Sequence, residues 1–107
     1  MKTSVSQVKG SSMAEFAAKA EQVANLLKEL ANEKRLLILC TLVDARETSV
    51  ADIAEAVGLA QSALSQHLAR MRDSGVVKFR RDGTTLLYSV ADGNVSRILK
   101  TLKSIYC

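Results

Sequence analysis

Apolar positions recur at three- and four-residue steps along the first third of the chain. Phe16, Ala20, Val23, Leu27 and Leu30 fall on one face of a helix that starts at Met13. Asn32 suits the N-cap of a second helix and Glu33 its first turn. Leu36, Leu39, Cys40 and Val43 are read as its apolar stripe, and the segment DARET (44–48) ends it. Ser49 with Asp52 three residues on resembles a capping box with the acid shortened. A third helix is therefore expected over about 50–57, stopped by Gly58, and a fourth over about 61–74, with Gly75 as its left-handed stop. The period then changes to two. Residues 77–81 and 85–90 alternate, and Arg81-Asp82-Gly83-Thr84 carries the Asp-Gly of a hairpin turn. Asp92 suits the cap of a last helix, whose apolar face holds Val95, Ile98, Leu99, Leu102, Ile105 and Tyr106.

This order predicts a mainly α chain with a small β-hairpin. Residues 1–12 are polar and aperiodic and are read as a flexible tail, leaving 13–107 as one folded domain. Two short helices joined by a Gly-containing turn, then a hairpin, are the parts of a winged helix-turn-helix. With Leu64 as the reference direction on the fourth helix, Leu64, Leu68 and Met71 cluster inward. Ser62, Ser65, Gln66, Ala69 and Arg72 lie opposite, and Gln61 stands at the helix start, where base edges are read. Gln pairs bidentately with adenine, and Ser bonds any base. His67 falls on the flank, suited equally to a phosphate contact or to closing the helix packing. Arg80 and Arg81 on the hairpin are suited to gripping phosphates, and Thr84 and Thr85 to adding hydroxyl contacts. A solvated helix face and a charged hairpin surface are the plain alternatives.

Charge supports duplex DNA as partner. The 107-residue chain carries +4, and residues 60–83 hold Arg70, Arg72, Lys78, Arg80 and Arg81 against Asp73 and Asp82. The four aromatics, Phe16, Phe79, Tyr88 and Tyr106, are too few for a single-strand stacking platform. No apolar run reaches membrane-span length and no signal-peptide pattern opens the chain, so a cytoplasmic protein is expected. No Cys-x-x-Cys, Cys–His nucleophile or Gly-rich phosphate loop suggests an enzyme, and no cofactor or metal is expected. A domain this small is marginal alone, and the first and last helices carry surplus apolar surface. Leu27, Leu30, Ile98 and Leu102 are therefore candidates for the shared core of a homodimer.

ELANEKRLLILCTL, AQSALSQHL and RRDGTTLLYSV together resemble the ArsR/SmtB family of bacterial repressors over about residues 22–107. The resemblance implies a homodimeric repressor on operator DNA, weakened by an inducer bound away from the DNA face. It departs from the family's metal-sensing patterns. The helix VADIAEAV has no Cys, and residues 93–107 have no His. Cys40 and Cys107 instead resemble the pair of the dithiol branch that includes BigR, SqrR and HlyU. Carried over, the two thiols face each other in one subunit and become linked by reactive sulfur species or oxidants. The alternative is a regulator of the same family that senses a metal or has no thiol switch.

Neither thiol is marked as activated by its own surroundings. Cys40 lies on an apolar stripe, where free Cys packs as a small hydrophobe. Cys107 stands at a helix C-terminus beside a terminal carboxylate, partly offset by Lys103 one turn back.

Overall fold

The structure, a computed structural model, describes residues 11–107. In chain order the elements are α1 (Ser11–Leu30), α2 (Glu33–Ala45), β1 (Thr48–Ser49), α3 (Val50–Val57), α4 (Gln61–Asp73), β2 (Val77–Asp82), β3 (Thr85–Val90) and α5 (Gly93–Tyr106). Residues 1–10 of the expected tail lie outside the described residues, and Ser11 and Ser12 already belong to α1. The chain divides into two compact units, the first ending at Asn32 and the second running from Glu33 to Cys107.

In the first unit, α1 leaves much of its apolar face in solvent. Phe16 is 54% exposed and Leu27 48%, and Val23 is half-buried. Leu30 is buried within the chain. It therefore offers no uncovered surface to a partner, contrary to the expectation that it joins a shared core.

The second unit is built around α2. Ile38, Leu39 and Leu42 are its fully buried residues, whereas Leu36, Cys40 and Val43 are only half-buried. The expected stripe was thus wrongly phased. Residues 36–43 are apolar apart from Thr41, which returns its hydroxyl to the Leu37 carbonyl at 2.8 Å, so periodicity has no polar face from which to take a direction. Around α2 pack α3, β3 and α5. The core gathers Ile53 and Val57 of α3, Leu64, Leu68 and Met71 of α4, Val77 and Tyr88 of the hairpin, and Val95 and Leu99 of α5.

Local signals end these elements where the sequence puts them. The Ser49 side chain accepts from the Asp52 amide at 3.2 Å, and Asp92 accepts from the Asn94 amide at 2.9 Å. Gly58 closes α3 in the left-handed region at φ 72°, donating to the Ala54 carbonyl at 2.9 Å. The hairpin turn sits one residue later than expected. Asp82 pairs with Thr85, leaving Gly83 and Thr84 as the loop. Gly83 has φ 67° and Thr84 has no positive φ, the pattern of a turn whose glycine comes first rather than of an Asp-Gly turn.

The segment expected only to break α2 also forms a strand. β1 pairs antiparallel with β3, Thr48 opposite Tyr88 and Ser49 opposite Leu87, giving a three-stranded sheet in the order β1-β3-β2. Two paired residues are too short for a period-two pattern to register. Arg46, between α2 and β1, adopts φ 67°, a left-handed residue that turns the chain from helix to sheet.

A Cβ at Gly58 would meet nothing within 4 Å. The cost of Gly58→Ala is then conformational rather than steric, and destabilisation by ~1 kcal/mol is expected in urea unfolding. An unchanged midpoint would show that the left-handed cap is dispensable.

Candidate nucleic-acid interface and thiol pair

Helix α4 separates its residues cleanly. Leu64, Leu68 and Met71 are fully buried, while Gln61, Ser62, Ser65, Gln66 and Ala69 are exposed. A face of amides and hydroxyls, followed by Ala69, is therefore presented from the first turn of the helix onward, with hydrogen-bonding groups short enough to address base edges. His67 is half-buried between the two faces. Arg72 is exposed but committed: its guanidinium lies 5.1 Å from the Phe79 ring centre, and Phe79 in turn meets Tyr88 at 5.4 Å. This stack joins the end of α4 to the hairpin.

On the hairpin, Arg81, Thr84 and Thr85 are exposed. Arg80 is also exposed, but its guanidinium forms a two-pronged bond with Glu47, Nε to Oε2 at 2.7 Å and Nη2 to Oε1 at 2.8 Å. The register explains the meeting. Arg80 and Ser49 both stand opposite Leu87, so Arg80 meets Glu47, two residues before Ser49, across the central strand. Arg80 was read from sequence as a phosphate grip; the structure gives it a carboxylate partner within the chain. Glu47 was missed, because it sits in a segment with no periodicity.

The two cysteines are free, Cys40 half-buried on α2 and Cys107 exposed after α5. Between α2 and α5 runs an ion pair in which Lys103 Nζ donates to both Asp44 oxygens, at 2.8 and 2.6 Å. Asp44 lies one turn beyond Cys40, and Lys103 one turn before Cys107. The Cys107 amide donates to the Lys103 carbonyl at 2.8 Å, so the helical turn carries through to the cysteine. Burial pushes the Cys40 thiol above its ordinary pKa, Lys103 pulls it down, and Asp44 and Cys107 push it up. The Asp44 bond, opposed by burial, raises Lys103, with the two thiols adding to the rise. Asp44 was the residue overlooked at this site; its i, i+4 spacing from Cys40, mirrored by Lys103 and Cys107, was the available signal. Among the described residues no three His, Cys, Asp or Glu side chains stand together so as to hold a metal ion, and no helix is long and apolar enough to cross a membrane.

Residues 32–78 match the family described as bacterial regulatory protein, arsR family. The chain is 47% identical over 95 residues to the HTH-type transcriptional regulator YgaV of Escherichia coli K12, covering 89% of this chain and 96% of that protein. The chain belongs to the ArsR family. Two solved structures place the fold of this ArsR-family regulator as a winged helix-turn-helix. Reduced HlyU from Vibrio cholerae is 41% identical, with a TM-score of 0.76 over 92% of this chain and 99% of that one. A homodimeric winged helix-turn-helix DNA-binding domain from Mycobacterium bovis is 34% identical, with a TM-score of 0.72 over 92% of this chain and 90% of that one.

The Arg80 bond holds the Glu47 carboxyl below the ordinary carboxylate range, with the charges of Arg80 and Lys78 adding to the effect and burial opposing it. A depressed carboxylate stabilises the fold above its unfolded pKa and loses that contribution as pH falls through the folded value. Opening of the clamp is therefore expected only on the acid side of normal Glu titration. Following the Arg80 side-chain N–H by NMR during acid titration checks this; release at or above the ordinary Glu range would contradict it.

Proposed function

We propose that this ArsR-family regulator represses transcription by binding duplex operator DNA as a homodimer, and lets go when Cys40 and Cys107 of one subunit become linked. Gln61, Ser62, Ser65 and Gln66 read base edges, His67 meets a phosphate at the flank, and Arg81 and Thr84 of the hairpin hold the backbone, joined by Arg80 once it leaves Glu47. The polar face of α4 and the exposed Arg81 and Thr84 support this reading. The exposed Leu27 of α1 and Leu102 of α5, with the half-buried Ile98 beside Leu102 on α5, support pairing of two copies, and a homodimeric relative shares the fold.

One observation carries the thiol switch: the Asp44–Lys103 bond, with one cysteine a turn away on each helix. Either thiolate takes the outer sulfur of a donor persulfide and releases the donor's thiolate. The second thiolate then attacks the modified cysteine's own sulfur and expels hydrosulfide, leaving a disulfide. Closing a loop of about 67 residues stabilises the folded chain by ~4 kcal/mol in the chain-entropy model, by restricting the unfolded chain; a useful switch needs a coupling of only ~1–3 kcal/mol between folded states. Linking α2 to α5 shifts the spacing of the two recognition helices, which has to match a turn of DNA.

Three outcomes are expected. Sedimentation gives a dimer at micromolar concentration. Gln66→Ala costs ~1–3 kcal/mol and relaxes preference at one base pair, whereas Arg81→Ala weakens every duplex alike and flattens the salt dependence. Persulfide releases the operator from wild type but not from Cys40→Ser or Cys107→Ser, with the intrasubunit link seen by mass spectrometry. Unmodified thiols after treatment would leave Cys40 a packing residue, and release by a metal ion instead would favour the metal-sensing alternative.

A further inference from the structure

We propose that Asp44 and Lys103 are the positioning residues of the thiol pair: their bond sets the register of α5 on α2, Lys103 serves both thiolates as counter-ion, and Asp44 restrains it. The inference rests on the reading of Cys40 and Cys107 as one switch.

Register comes first. One bond between helices fixes a level, and the chain directions do the rest. From Asp44 one turn back along α2 leads to Cys40, and from Lys103 one turn forward along α5 leads to Cys107. Each cysteine thus lies one turn from the same interhelical bond, near enough for Cys107 to act on Cys40. A slip of α5 by a single residue would turn Cys107 about 100° around its axis and part the two sulfurs.

Charge comes second. The charged and titratable groups acting on Cys40 are Lys103, Asp44 and Cys107, and Lys103 is the one cation among them. The same ammonium feels both thiols. Its bond to Asp44 therefore withholds from the Cys40 sulfur part of the charge that would draw it to the thiolate. As a stabilising device the pair is poor, because its side chains are 36% and 63% exposed and bridges so open to water contribute little. Its placement beside the only two cysteines of the chain suits the tuning of their reactivity instead.

The test reads thiolate formation directly on the full, reduced chain, without DNA. Iodoacetamide alkylates a thiolate with loss of iodide, and the rate at Cys40 and Cys107 is followed across pH, peptide by peptide, by mass spectrometry. Lys103→Met is expected to move the Cys40 midpoint to higher pH and Asp44→Asn to lower pH, each by enough to change the rate below the midpoint roughly threefold in opposite senses. Lys103→Arg keeps the wild-type profile. Removing a purely structural tether would shift the two variants together, through altered burial of Cys40, and coincident or unmoved midpoints would overturn the assignment. Opposed shifts in a protein whose thiols ignore persulfide would defeat the switch and leave the positioning role intact. A normal persulfide response with coincident midpoints would do the reverse.

Discussion

Helix α2 has almost no polar side to give to water, and the remainder of the second unit is arranged to answer that. Between Leu36 and Val43 the only polar side chain is Thr41, which turns its hydroxyl back into its own helix. A helix of this kind is stable only when covered from several directions. Helix α3, strand β3 and helix α5 provide the cover, and Ile38, Leu39 and Leu42 lose all contact with solvent. Leu37, 43% exposed, is the part left open. Helix α2 touches both α3 of the helix-turn-helix and α5, and strand β3 makes the same two contacts, so both elements connect α5 to the helix-turn-helix.

The polar chemistry is placed by that apolar arrangement. Burying Leu64, Leu68 and Met71 leaves α4 one choice of outward face, and that face consists of Gln, Ser and Ala. The Arg72–Phe79–Tyr88 stack and the Arg80–Glu47 bond then hold the hairpin at two adjacent residues in the middle of its first strand. Four of the basic side chains near the reading surface thus differ in their freedom. Arg72 and Arg80 have partners within the chain, whereas Lys78 and Arg81 are exposed without such a bond in view. Electrostatic grip on a polyanion draws on all of them, but only the last two can move to it without first leaving a neighbour.

What could be read from the sequence follows from how far each signal reaches. Caps and stops at Ser49, Gly58, Gly75 and Asp92 depend on residues within a turn of one another, and all four appear where expected. The phase of α4 was legible because its polar and apolar residues alternate with a helical period. In α2 the same method chose the wrong stripe, since nearly every position is apolar and only tertiary packing decides which side is deepest. Strand β1 and the Glu47–Arg80 bond were illegible for a related reason: they exist through pairing with β3, some 40 residues further along, and leave no local trace. The half-site around Cys40 and Cys107 was partly legible. The pair of cysteines stood out, but the reciprocal spacing of Asp44 and Lys103 acquires meaning only once α2 and α5 are known to lie side by side.

Ser49 ends β1 and caps α3 with the same residue. No loop intervenes between the sheet that carries the hairpin and the helix pair that carries the polar face. A joint of zero length has no torsional slack to take up, so the orientation of one grip relative to the other is set by covalent geometry rather than by a loop ensemble. Mechanically, hairpin and helices behave as a single jaw. In the proposed dimer, discrimination between sites would then pass to the distance and angle at which a second jaw is held.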